Sequence, residues 1–339
     1  MKKHVNIPIF IPHLGCPHDC VFCNQRKISG RAHADFSSVE DEIVRALKTV
    51  KDGQTAQIAY FGGSFTGIDR EDMIYLLGVA KKYVDRGKVE SIRLSTRPDY
   101  IDGEILDILK EYGVGTVELG IQSMSDKVLD ICGRGHTAQC SARACRLIKE
   151  YGFELIGQMM TGLPGAEYED DVMTARTIAM MCDGARIYPT VVFCDTELCE
   201  MAKRGEYAVP GEEELVCRTV GALREFAMAK KPVIRVGLQS SDGVLDERNV
   251  YSKTYHPAIG EICYSRLYRE IIEEKIPRGE KVIVVVVGKR EISKAVGQHG
   301  ANREYLKNKF GLHSIKFEGD ESHSDFEVTI HTRENKSET

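Results

Sequence analysis

Six short apolar runs, each followed by a helix-like stretch, set the tightest limit on what this chain folds into. The runs are "VNIPIFI" (5–11), "AQIAYF" (56–61), "VESIRLS" (89–95), "GTVELGI" (115–121), "FELIGQMM" (153–160) and "GARIYPTVV" (184–192). Between them the patterning predicts helices over about 38–50, 69–86, 102–112, 125–131, 138–151 and 168–181. Ser37 and Ser38, ahead of the acidic turn of "VEDEIVRALKTV", mark one helix start. Strands alternating with helices predict a parallel sheet. Six units are too few for a closed eight-unit barrel and suit an α/β fold, a partial (βα)6 TIM-like barrel. Functional groups are then expected on the loops leaving the C-terminal ends of the strands.

The chain of 339 residues is 42% hydrophobic and 29% charged, enough to bury a core in one large and one smaller unit. Residues 1–260 are read as the barrel part, with about 195–260 connecting. There a helix near 211–230 and a strand "PVIRVGL" (232–238) are expected. After 260 the character changes. Residues 275–317 carry ten Lys and Arg against three Glu, a balance of +7, whereas the whole chain has net charge −5. Nucleic-acid contact must therefore come from this local block (261–332, a small basic α+β domain) and not from bulk charge. Residues 333–339 are expected to be a disordered tail. No apolar run approaches the roughly 20 residues of a membrane span. The start, with Pro8, Pro12 and Cys16 close together, does not read as a signal peptide, so a cytoplasmic protein with no membrane partner is expected.

Eleven cysteines in a reducing compartment do not suggest a disulfide framework. Only Cys16, Cys20 and Cys23 cluster, in "GCPHDCVFCNQ", on the loop after the first strand. A structural zinc wants four ligands, and His13 or His18 is the nearest candidate for the fourth. An iron–sulfur cluster normally takes four thiolates, so three would leave one iron open to a ligand. Core packing is the third reading. Phe22 would shield any group held there. Cys140-x4-Cys145 and Cys194-x4-Cys199 admit a second cluster, but suit small buried apolar side chains better.

Cys-x3-Cys-x2-Cys after a first strand resembles the radical S-adenosylmethionine superfamily. The resemblance implies a [4Fe-4S] cluster on Cys16, Cys20 and Cys23, and S-adenosylmethionine on the open iron. It also implies one-electron cleavage to a 5′-deoxyadenosyl radical, fed by a reductant such as flavodoxin or ferredoxin. "FGGSFTG" (61–67) resembles the motif binding the cofactor's amino group, which implies roles for Gly62, Gly63 and Ser64. Glu118, Gln122 and Arg134 would need polar partners in a plain core. By similarity to oxygen-independent coproporphyrinogen oxidases, Gln122 faces the ribose and Arg134 the carboxylate. Gln158 falls where that resemblance puts an acidic ribose ligand.

"STRPDYI" (95–101), "VELGIQS" (117–123), "RGHT" (134–137), "GLPG" (162–165) and "RIYPTVVFCDTELCEMAKRGEY" (186–207) together resemble the radical part of the Elongator subunit 3 family. That family acts on wobble uridines of tRNA, which implies an RNA substrate. The chain departs from it in a shorter first cysteine interval and in Ser95, where the family has Glu. It also lacks room for the family's acetyltransferase domain. Nor is there room before residue 5 for the extra domain of methylthiolating relatives. Tyr188 and Cys194, by position at the end of the sixth strand, where substrate would sit, are candidate hydrogen-atom relays. The order strand, helix, Gly297-Gln298-His299-Gly300, helix, strand resembles a KH domain, whose G-x-x-G loop clamps single-stranded backbone. Lys289, Arg290, Lys294, Arg303 and Lys307 would then meet phosphates, with Gly297 and Gly300 shaping the loop. A radical enzyme for a small metabolite or peptide, a non-catalytic iron–sulfur RNA-binding protein and a zinc protein stand as alternatives.

Overall fold

A computed structural model describes residues 4–11, 16, 20–23, 36–238, 249–252 and 256–332. The tail 333–339, His13, His18 and part of the connecting region lie outside the described residues. The large sheet holds β1 (His4–Ile11), β2 (Thr55–Gly62), β3 (Ser91–Thr96), β4 (Val114–Gln122), β5 (Glu154–Thr161), β6 (Gly184–Pro189) and β7 (Val233–Val236). Its spatial order follows the sequence, and every neighbouring pair is parallel. This is the open half-barrel expected, with one strand more than six: "PVIRVGL" pairs with β6 and lengthens the sheet. Strands covered on both faces read as continuous apolar runs. Ala56 to Tyr60 in β2 and Thr116 to Ile121 in β4 are accordingly buried without alternation.

The crossover helices are α1 (Val39–Leu47), α2 (Arg70–Asp85), α3 (Gly103–Glu111), α4 (Asp126–Ile131), α5 (Ala138–Glu150), α6 (Tyr168–Met181), α7 (Glu197–Lys203) and α8 (Glu212–Met228). Leu76, Leu77, Leu106, Ile148 and Ile178 point from them into the sheet's core. Several starts are fixed by side chains that accept from first-turn amides: Asp69 from Glu71, Asp102 from Ile105, Thr137 from Cys140 and Thr196 from Cys199. Ser38 precedes α1 without capping it, its hydroxyl donating to Glu42 instead. Asp69, Asp102 and Thr196 each follow a strand, and Thr137 follows the short helix α4, so capping and site-building largely share the same end of the sheet.

Helix α9 (Ile259–Lys275) runs into the smaller unit, made of β8 (Val282–Gly288), α10 (Ile292–Val296), α11 (Ala301–Phe310), β9 (Ser314–Asp320) and β10 (Val328–Thr332). Its sheet order is β10-β8-β9, with β8 and β9 parallel and β10 antiparallel to β8. The third strand, β10, goes beyond the strand–helix–helix–strand order read from the sequence. Ile259, Cys263 and Leu267 of α9 pack in the large core, Tyr268 and Ile272 in the small one. The change of character near 260 thus falls inside one continuous helix. Among the described residues no helix is long and apolar enough to cross a membrane.

Candidate active site at the C-terminal ends of the strands

The cysteine loop is bolted to the sheet's C-terminal end by backbone bonds. The Val21 amide donates to the Cys132 carbonyl at 3.2 Å, and the Leu198 amide donates to the Val21 carbonyl at 2.7 Å. Val21 and Phe22 pack into two small apolar clusters, one around Val128, Cys132 and Leu163, the other around Val192, Leu198 and Tyr207. Cys20 is buried, and Cys16 and Cys23 are half-buried; none is in a disulfide. Among the described residues no three His, Cys, Asp or Glu side chains close tightly enough on one point to hold an ion. Cys16 and Cys20 nonetheless feel each other's charge.

Two arginines converge on this loop. Arg134 donates through Nη1 to Cys20 Sγ at 3.3 Å and through Nη2 to the Gly120 carbonyl at 2.6 Å. Arg97 reaches Cys20 Sγ at 4.0 Å, donates to the Arg134 carbonyl and forks onto Asp99 at 2.9 Å. Burial pushes the Cys16 thiol up, while a backbone amide bond from Ser64 and the charges of Arg97 and Arg134 work against it. Cations and amide donors favour the thiolate, the form that binds metal. His136, beside Arg134, is pushed down to about 4, first by burial and then by Arg134's charge, so its ring is neutral at neutral pH.

Gly62 ends β2 at φ +120°, where an added Cβ would fall inside the Ile11 carbonyl oxygen of β1. The Gly63 amide donates back to the same carbonyl at 3.4 Å. Ser64 is buried, its hydroxyl shared with Thr96 at 2.9 Å. Gly62→Ala is expected to cost about 1–3 kcal/mol from backbone strain alone. It should also shift β1 and the cysteine loop it carries. Urea unfolding and equilibrium dialysis of S-adenosylmethionine check this; a variant as stable and as competent as its parent would refute it.

Gln122 sits at a register shift between β4 and β5, at φ +66°. Strain of that kind in a residue other than glycine gathers at functional sites. Among the described residues its Oε1 is buried with no hydrogen-bond partner, and so are Arg134 Nε and His136 Nε2. Such atoms are costly to leave unsatisfied. Gln122 also lines a cavity of about 260 Å³, together with Phe10, Phe61, Glu118, Gln158 and Tyr188 among others.

Glu118 organises the cavity floor. It is fully buried and accepts from Arg93 at 2.9 Å, from Arg186 at 2.8 and 2.9 Å and from Gln158 at 2.8 Å. The amide nitrogen of Gln158 is thus spent on Glu118, with Ser95 Oγ at 3.4 Å. Tyr188 lines the cavity, its phenol raised by burial. Cys194 does not line it; its backbone amide donates to Asn249. Cys145, Cys182, Cys199 and Cys263 are buried with apolar neighbours, as small core side chains. Arg97 and His136 were missed as site residues, although each lies inside a quoted motif, "STRPDYI" and "RGHT".

Three cysteines outside any disulfide on one loop, two arginines aimed at Cys20 and orphaned polar atoms beside them fit a thiolate-bound iron–sulfur cluster with a polar ligand. The family model of the radical SAM superfamily matches residues 10–178, and that of the Radical_SAM C-terminal domain matches 182–269. An uncharacterised protein of Methanocaldococcus jannaschii is 28% identical over 290 residues, 81% of this chain and 86% of that one. The tRNA uridine(34) acetyltransferase of the same organism is 36% identical over 127 residues, 36% of this chain. That match spans only 24% of the acetyltransferase's length. Among solved structures, an N-terminally truncated archaeal Elp3 from Methanocaldococcus infernus has a TM-score of 0.63 at 22% identity, over 80% of this chain and 64% of that one, and shares the fold. With both models running end to end along the half-barrel that carries the cysteine loop, the chain belongs to the radical SAM superfamily, enzymes that use a [4Fe-4S] cluster and S-adenosylmethionine.

Proposed function

We propose that this enzyme modifies tRNA, with a flat base entering the cavity and the C-terminal block holding the strand. The observation carrying this reading is the stretch 36% identical to a tRNA uridine(34) acetyltransferase. Acetyl transfer itself is not part of the proposal. When bound, the cluster and S-adenosylmethionine supply one-electron cleavage chemistry that removes a hydrogen atom from substrate. Cys16, Cys20 and Cys23 would hold the cluster, and Arg97 and Arg134 would balance its thiolate charge. Gln122 and Arg134 offer their orphaned atoms to the cofactor's polar groups, and Gly62 keeps the approach open. Phe10, Phe22, Phe61 and Phe193 supply apolar faces for a base, and Tyr188, on the same lining, would carry a proton or hydrogen atom.

In the C-terminal block, Gly297 and Gly300 both adopt φ +80° and His299 φ +51°, a loop shape few side chains tolerate. Asn302 Nδ2 fixes that loop to α9, donating to the Ser265 and Ala295 carbonyls at 2.8 and 3.0 Å. Arg290 and Arg303 are exposed and Lys307 half-buried, all without an ion pair among the described residues. Lys294 turns inward instead, onto Glu291 at 2.8 Å and over the Tyr264 ring, and Lys289 pairs with Glu321. These two leave the phosphate-binding set.

The test is nucleoside profiling of tRNA from a strain lacking the protein, with tRNA binding measured on the holoenzyme and on the triple variant R290E/R303E/K307E. One nucleoside is expected to disappear. The variant should bind tRNA at least about tenfold more weakly, with a salt dependence shallower by about three ions. An unchanged nucleoside profile would sink the substrate class, and unchanged binding would remove the block from the strand's path.

A further inference from the structure

On the inner face of the sheet, Gln158, Arg186 and Arg235 stand in register on β5, β6 and β7. Arg186 is spent, forked onto Glu118. Arg235 lines the same cavity, half-buried, and among the described residues it has no carboxylate and no hydrogen-bond partner. Like charges placed opposite on neighbouring strands repel. Among the described residues lining the cavity the one carboxylate, Glu118, is already shared by Arg93 and Arg186. Among the charged side chains lining the cavity, one Glu stands against two Arg, so the cavity prefers an anion. Burial raises the Tyr188 phenol, and Arg235 is one of the charges acting against that rise, which places its field inside the cavity. Removing a half-buried cation from water and giving it no partner is unfavourable. Keeping one beside a second guanidinium is a loss of stability that binding can explain.

Position narrows the anion. β7 is an edge strand of the sheet, so Arg235 stands at one lateral edge of the cavity, whereas Glu118, on β4, stands at the middle of the sheet. A nucleotide that inserts its base would leave its backbone at that edge. We infer that Arg235 anchors a phosphate of the substrate nucleotide by a forked guanidinium–oxyanion contact. The inference rests on the tRNA reading of this same cavity. A guanidinium suits the task because its planar donors match two phosphate oxygens at once.

The test is isothermal titration of the reconstituted holoenzyme, saturated with S-adenosylmethionine, with uridine 5′-monophosphate, uridine and inorganic phosphate. It is repeated on Arg235→Ala and Arg235→Lys, with thermal unfolding of each variant alongside. The parent is expected to bind the monophosphate about tenfold or more tighter than uridine, the size of a charge-assisted contact. Arg235→Ala should lose that preference, and Arg235→Lys should keep part of it. The alanine variant should melt no lower than the parent, because a repulsion has been removed. Inorganic phosphate held through Arg235, with neither uridine ligand bound, would uphold the anchor and sink the nucleotide reading. An alanine variant that keeps the monophosphate preference overturns the proposal. So does one that melts several degrees lower, since Arg235 would then be a structural partner, and so does a parent that discriminates among none of the three ligands.

Discussion

Cys20→Ala is expected to reduce iron after anaerobic reconstitution from about four per chain to near zero, and to abolish release of 5′-deoxyadenosine on reduction with S-adenosylmethionine. Of the three clustered cysteines Cys20 is the buried one, and two arginines aim at its sulfur. Its loss therefore does two things. It removes a thiolate, and it leaves Arg97 and Arg134 crowded together with, among the described residues, one paired carboxylate, Asp99 on Arg97. The control is Cys132→Ala. Cys132 lies against the same loop, and burial followed by the charge of Cys20 holds its thiol up to about 12, a protonated group with no call on metal. That variant is expected to keep its iron. Iron retained by Cys20→Ala, or lost equally by both variants, would show that the loop's packing and not its thiolates governs the cluster. Replacement of Cys16 and Cys23 extends the test, since both should follow Cys20.

What could be read from the sequence was local. Apolar runs of strand length, the spacing of three thiols, and glycines at a strand end each depend on neighbours a few residues away. These placed the half-barrel, the loop after β1 and the Gly62 turn correctly. The cavity floor depends instead on partners far apart in sequence. Glu118 meets Arg93 across 25 residues and Arg186 across 68, because parallel strands bring equivalent rungs together only after a whole helical crossover. A charged residue inside an apolar run signals that some partner exists, but not which one. β10 has only five residues, too short to impose a period of its own, and β7, legible as a strand, carries no local sign that it joins the large sheet. Lys294 reads as a surface cation until the fold sets Glu291 and Tyr264 around it. Gln158, likewise, offers itself as a ligand group until register places its amide on Glu118.

Glu118→Ala is the most damaging single change expected outside the cysteine loop, at about 3–5 kcal/mol in urea unfolding of the apoprotein. The carboxylate is fully buried, and the side chains of Arg93 and Arg186 are only 7% and 9% exposed. Without it, Arg186 loses its carboxylate in a place water reaches poorly, while Arg93 is left with Gln57 and the half-exposed Glu154, and the Gln158 amide with Ser95. The cost is mostly that of stranded charge and not of lost attraction, because desolvating the ions offsets most of what their pairing returns. Two comparisons separate these causes. Glu118→Leu combined with Arg186→Met removes one cation together with the anion, and should recover a good part of the loss. Replacing Glu206 on the outer surface, where it pairs with Arg204 in full contact with solvent, should be barely measurable beside it. If Glu118→Ala unfolds within about 1 kcal/mol of the parent, the network is not the keystone described here. If the double variant is no better than the single one, packing around Glu118 and not its charge holds β3, β4, β5 and β6 in register. A shift in that register would also move Gln122 and Gln158, so S-adenosylmethionine binding should fall with stability in Glu118→Ala and return in the double variant only as far as the register does.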